Sequence, residues 1–222
     1  MGITAENVAE KWNISRSSQE EFALDSHMKS IYARDNGYFK SEICPINSDE
    51  GVIDEDGCLR NTSLDAMSKL NPVFKNNGSV TAATSSPLTD GAVSMLVCSS
   101  EFAEKNGLEP LARIVTSAVT GCPPNMMGIG PISSTQKALE LSGWNIDDVD
   151  VFEINEAFSS QSIAVINELS IDYHKVNIDG GAISIGHPLG ASGARIVGKA
   201  ASIMDRTNSE RALATMCIGG GM

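Results

Sequence analysis

The chain has no run of eighteen apolar residues, and its start, Met1-Gly2-Ile3-Thr4-Ala5-Glu6, lacks the basic and apolar regions of a secretory leader. No membrane partner is therefore expected, and a cytoplasmic location is. Positive charge is scarce: 16 Lys and Arg face 28 Asp and Glu, and the net charge of −12 argues against nucleic acid as a partner. Histidine occurs only at His27, His174 and His187, and the five cysteines (Cys44, Cys58, Cys98, Cys122, Cys217) form no C-x-x-C pair. Neither a zinc site nor a disulfide framework is expected, which suits a reducing compartment. The acidic stretch from Asp49 to Asp56 reads as a solvated loop, since Val52 and Ile53 break the ligand spacing of a calcium loop.

What is present is a chain of 222 residues, long enough to bury a core. The spacing predicts a helix capped by Thr4 and running to Trp12, then a second one capped by Ser15 or Ser17 and stopped by Asn36-Gly37. From there to Pro72 the chain is polar and irregular, with a β-like piece from Ile43 to Ile46. The apolar run Ala92 to Cys98 reads as a buried strand, and Glu101 to Asn106 as a helix. Strands and helices then alternate. Strands are expected at Leu111–Val119, Val149–Ile154, Val176–Ile178 and Arg211–Met216. Helices are expected at Ser133–Leu141 (capped by Ser133), Glu156–Leu169 and Gly190 to about Met204. That alternation predicts a layered α/β domain with its site at strand ends and helix starts.

Three motifs fall at such junctions. Gly186-His187-Pro188 holds an imidazole between a flexible and a rigid residue, where it can accept a thiol proton or donate to a carbonyl oxygen. Cys217 stands directly before Ile218-Gly219-Gly220-Gly221, whose bare amides can stabilise an oxyanion. Asn155, in Asn155-Glu156-Ala157-Phe158, brings a side-chain amide to a strand end, where it could equally hold a turn. Together these residue types suit thiol and acyl chemistry. The glycines of Gly190-Ala191-Ser192-Gly193 read as close helix packing rather than a phosphate cradle.

Taken together, these blocks resemble the thiolases, in particular the acetyl-CoA acetyltransferases. The resemblance runs along essentially the whole chain. Met1 to Ala9 resembles the start of the family's loop domain, Asp90-Gly91-Ala92 the entry to the strand that follows it, and Met127-Gly128-Ile129-Gly130-Pro131 its pantetheine-side loop. The resemblance implies a thiolase-like α/β fold: a partial loop domain over 1–88, a remnant of the N-terminal domain over 89–108 and the C-terminal domain over 109–222. It implies that His187 activates a nucleophilic cysteine and helps hold the thioester oxygen, that Asn155 positions a water in that same oxyanion hole, and that Cys217 is the acid/base for carbon. Gly219 would add an amide to the second oxyanion hole, Ser86 and Met127 would border the pantetheine arm of coenzyme A, and Arg60 would lie near its nucleotide end.

The reaction so implied joins two acetyl-CoA to acetoacetyl-CoA and coenzyme A, or runs in reverse, with a coenzyme A thioester as substrate and neither a resident cofactor nor a metal. Some features depart from the family pattern. The nucleophilic cysteine lies upstream of the segment that matches Met1, so it is not expected among the five cysteines. Most of the N-terminal domain and the last β-strand are also unmatched, and the isolated chain is expected to be inactive. Pro87 stands in a block that normally carries more glycine, and the region from Phe39 to Ser63 is shorter than usual. Homo-oligomers or a separate N-terminal half are the expected protein partners. A β-ketoacyl synthase relative, a non-catalytic or complementing fragment and a coenzyme A binding module are the alternatives.

Overall fold

The computed structural model describes residues 1–222. It opens with α1 (Gly2–Lys11) and α2 (Arg16–Asp35). Ser15 Oγ accepts the amide of Ser18 at the start of α2 (3.1 Å), satisfying one of the donors that a helix leaves free. The expected cap of α1 is displaced: the helix begins at Gly2, so Thr4 lies inside it and its hydroxyl donates to Met1 O instead. The acidic stretch forms a hairpin of β1 (Ile46–Ser48) and β2 (Gly51–Ile53), with Asp49 and Glu50 exposed in the two-residue turn.

Two short helices follow, α3 (Leu64–Ser68), capped by Ser63, and α4 (Ser100–Lys105), capped by Ser99. Helix α5 (Gly130–Ser142) starts three residues ahead of the expected cap. Pro131 lies in its first turn, where a missing N–H costs nothing, and Ser133 bonds back to Gly130 O. After it come β3 (Val151–Ile154), α6 (Ser159–Glu168), α7 (Ala182–Ile185), α8 (Ser192–Thr207) and β4 (Ala212–Thr215). β3 and β4 pair in parallel, with Val151 opposite Ala212 and Ile154 opposite Thr215. The strand expected at 176–178 contributes only a single bridge, from Val176 to Phe152.

All four residues of β3 are buried. Phe152 and Ile154 pack with Phe22 of α2, Met67 of α3, Leu139 of α5 and Val165 of α6 in the main core. Two further expected strands are absent. Residues 92–98 and 111–119 have no β-partner, and Leu96 (71%) and Val119 (70%) are among the exposed apolar side chains there. The apolar pattern is genuine, but a strand exists only where a neighbour takes its hydrogen bonds, and none is present.

Buried polar groups tie the layers together. The Glu156 carboxylate accepts from Ser26 Oγ of α2 (2.7 Å), Asn177 Nδ2 (2.8 Å) and the Ile183 amide of α7 (3.1 Å). Asn177, at φ +43°, also substitutes for a strand neighbour: its amide oxygen takes Ile154 N–H and its nitrogen donates to Ile154 O, both at 2.8 Å. α8 is anchored by Lys199 and Arg206, which share the buried Asp179; Lys199 also reaches Glu42 and lies over the Phe39 ring.

Glu153 of β3 is the buried acid without such support. Its Oε1 has no partner, and burial pushes the carboxyl up to about 8 against the pull of Lys199 and Arg195. The folded chain therefore keeps a proton that the unfolded chain, with a pKa near 4.5, gives up. Stability is expected to fall as pH rises from the lower value through the upper one, then to level. Glu153→Gln should remove that slope, as urea melts of both proteins between about pH 5 and pH 8 would show; identical slopes would mean that Glu153 titrates normally.

Candidate active site

Asn155 continues the line of β3, its amide donating to Thr215 O (3.0 Å). The chain then folds back, Ala157 N–H to Asn155 O at 3.0 Å, and α6 begins at Ser159 rather than at the expected Glu156. Asn155-Glu156-Ala157-Phe158 is thus the connection between strand and helix, pinned by Glu156 to α2 and α7.

His187 occupies the link between α7 and α8. Gly186 before it has φ +96° and ψ 167°, and a Cβ there would lie 2.7 Å from Thr89 Oγ1, so backbone and space both require glycine. Arg195 Nη1 of α8 donates to Gly186 O (2.6 Å). The ring itself is held at both nitrogens. Nδ1 lies 2.6 Å from Ser192 Oγ, and Nε2 lies 3.4 Å from Asn155 Nδ2. Burial first, and then the charge of Arg195, lowers the imidazole pKa below its usual 6.5, which keeps the ring neutral at neutral pH. Asn155 is buried, and its Oδ1 has no partner within the chain.

Cys217 follows β4 and is buried against Met127 and Ala157, with Phe158 alongside. Burial pushes its thiol up to about 11, and Cys122 adds to the effect. Gly219 lies two residues further on, in an exposed turn closed by Ile218 N–H to Met222 O (2.7 Å). Gly220 and Gly221 of that turn have φ near +100° (101° and 105°). Ser86 is joined to the same connection: its amide and hydroxyl both donate to Ala157 O at 3.1 Å. Arg60 stands apart, exposed, with its backbone amide donating to His27 Nδ1 of α2 (3.3 Å).

The fold therefore gathers Asn155, His187, Cys217, Met127 and Ser86 around one strand-to-helix connection. The sequence reading passed over three residues. Ser192 falls in the segment read as helix packing and Arg195 in none, although the first opens α8 and the second follows about one turn later, close after the histidine. Cys122 carries no local signal and becomes a neighbour of Cys217 only through the terminal turn, where its amide donates to Gly221 O (2.8 Å). A cavity of about 170 Å³ lies behind the histidine loop, lined by Asp56, Thr89, Asp90, Pro188 and Arg195 among others. No three His, Cys, Asp or Glu side chains are arranged to hold a metal ion, and no helix is long and apolar enough to cross a membrane.

Comparison with known proteins identifies the family. Residues 1–101 match the family described as "Thiolase, N-terminal domain", and residues 108–222 match "Thiolase, C-terminal domain". The chain belongs to the thiolase family. It is 45% identical to the acetyl-CoA acetyltransferase of Chromobacterium violaceum over 228 residues, covering 100% of this chain and 58% of that protein. The crystal structure of the Bacillus anthracis acetyl-CoA acetyltransferase superposes with a TM-score of 0.96 at 41% identity, over 100% of this chain and 57% of that one. Human mitochondrial 3-ketoacyl-CoA thiolase in complex with CoA gives 0.94 at 40% identity, over 100% and 56%. The chain thus spans a little under three-fifths (58%) of the length of the curated relatives it matches. The expected thiolase-like α/β fold is the observed one.

The electrostatics of the histidine are open to test. Arg195→Met should raise the pKa of His187 toward the ordinary imidazole value by removing the cation that opposes protonation. An NMR titration of the three histidines would read the shift directly. A His187 value unchanged or lowered would show that burial alone sets it.

Proposed function

We propose that this chain supplies the proton-handling and oxyanion-binding groups of a thiolase acting on acetyl-CoA, in the direction of acetoacetyl-CoA or of its thiolysis. The observation that carries this reading is the contact of the Asn155 side-chain amide with His187 Nε2, with a buried Cys217 packed against Ala157 of the same connection. His187, neutral and with one ring nitrogen toward Asn155, would take the proton of a nucleophilic thiol and then donate to the thioester oxygen. Asn155 would hold a water in the same oxyanion hole, to which its unpaired Oδ1 is suited. An acyl-enzyme divides the reaction into two easier steps.

Cys217 would remove a proton from the second acetyl-CoA and return one to the leaving carbon in cleavage. Its raised pKa fits both tasks: the thiol stays protonated at rest, and its thiolate is a strong base when formed. The Gly219 amide would stabilise the oxyanion that forms at the acyl-enzyme, and Ser86 and Met127 would border the pantetheine arm. Arg60 would lie near the nucleotide end; of the proposed residues it has the least geometric support. Neither a resident cofactor nor a metal takes part. The nucleophilic cysteine is assigned to the part of the relatives' length that this chain does not match, so the working site needs that part as well, in one chain with these residues or as a separate half. Cytoplasmic work is consistent with five unpaired cysteines.

A mixture of this chain with the N-terminal remainder of the C. violaceum relative, given labelled acetyl-CoA, tests the reading. His187→Ala should lower acyl-enzyme formation by about 10²–10⁴-fold, the usual worth of a general base. Cys217→Ser should still form acyl-enzyme but fail to condense it. Acyl-enzyme formed by the His187 variant and lost in the Cys217 variant would reverse the assignment. Condensation by the unaltered mixture should accelerate as pH rises toward about 11, because only the thiolate of Cys217 is a base.

A further inference from the structure

We propose that Ser192 is a positioning residue that sets the tautomer of His187, keeping the proton on Nδ1 and leaving the Nε2 lone pair facing Asn155. The Ser192 hydroxyl has one proton and two partners, Pro188 O at 3.0 Å and His187 Nδ1 at 2.6 Å. A proton given to the carbonyl leaves the hydroxyl oxygen to accept, and only an Nδ1–H can donate to it. At the other side of the ring Nε2 meets Asn155 Nδ2, which is a donor, so Nε2 must accept. One tautomer satisfies all three contacts. The other would set two N–H groups against each other in a buried place.

The surroundings make this preference stiff. Ser192 is fully buried on the first turn of α8, and its own amide donates to Pro188 O (2.9 Å), so neither water nor rotation replaces the hydroxyl easily. One turn on, Arg195 holds Gly186 O and fixes the loop on the other side of the histidine. Through Ser192 the Gly190-Ala191-Ser192-Gly193 segment thereby acts on the imidazole; close packing is not what its glycines serve, since a Cβ at Gly190 would meet nothing within 4 Å and one at Gly193 only Met216 Cε at 3.7 Å. The consequence for catalysis, a basic nitrogen aimed at the site, rests on the function proposed above. The tautomer does not.

The test uses the full chain labelled with ¹⁵N and reads the ring nitrogens by long-range ¹H–¹⁵N correlation. Only three histidines are present, so His27→Gln and His174→Gln assign the signals. The neutral His187 ring should show the Nδ1–H pattern alone. Ser192→Ala should lose that single pattern to a mixture of both tautomers, and Ser192→Thr, which keeps a hydroxyl, should restore it. An Nε2–H ring in the unaltered chain, or an undisturbed Nδ1–H ring in Ser192→Ala, would overturn the proposal. If circular dichroism shows Ser192→Ala unfolded, the other two proteins decide: Nδ1–H in both supports the assignment, and a mixed pattern in either rejects it. Absence of thiolase turnover leaves these spectra unchanged, so the two readings fail separately.

Discussion

The buried carboxylate of Glu156 is the constraint on which the rest of the site depends. It sits at the end of the central strand and has to be compensated, because an unpaired acid in that position would cost several kcal/mol. Its partners come from three different parts of the fold: Ser26 of α2, Asn177 beside β3, and the Ile183 amide of α7. Satisfying one side chain therefore fixes three elements relative to the strand. Its chain neighbours Asn155 and Ala157 inherit that rigidity, and they are the residues that meet His187 and Cys217.

The histidine is controlled from a second direction. α7 ends at a glycine whose backbone angles exclude a side chain, and α8 begins with a serine and an arginine that hold the ring and the loop. The two helices act as a clamp whose jaws are short-range hydrogen bonds. The ion pairs of Asp179 with Lys199 and Arg206 keep α8 seated against the segment that carries Asn177 and Gly181. In the role proposed for His187 the ring would have to keep one orientation, and Ser192 and Arg195, which hold the ring and its loop, would supply that.

Much of this was legible in the residues, for reasons that differ from element to element. Helix ends announced by Ser15 and Asn36-Gly37 were readable because capping and left-handed turns are local chemistry. Asn155 stood out at a strand end, His187 between a glycine and a proline, and Cys217 before a run of glycines. The caps at Thr4 and Ser133 were misread because a hydroxyl inside the first turn bonds backward to a carbonyl as readily as forward to an amide. Asn177, which takes the place of a whole strand at Ile154, has no local signature: its role exists only once β3 has an open edge. The same holds for Cys122 beside Cys217.

The segments 92–98 and 111–119 show the limit of pattern reading from the other side. Their apolar residues mark buried strands, yet the main core closes without them: its members lie between Phe22 and Met67 and between Leu139 and Ile183. Covering a large aliphatic side chain fully is worth about 1.5–3 kcal/mol. Val93, Met95, Leu96, Val97, Leu111, Ile114, Val115 and Val119 are all substantially exposed. Partial cover of that set is comparable to the net stability of a whole domain, about 5–15 kcal/mol. Glu156, Asn177 and Asp179 hold the site from within the closed core, while Ala92 and Val93, at the head of the first open segment, line the cavity behind the histidine loop together with Pro188 and Arg195. The first open segment therefore reaches the histidine loop, so what covers its apolar side chains also bears on the surroundings of His187.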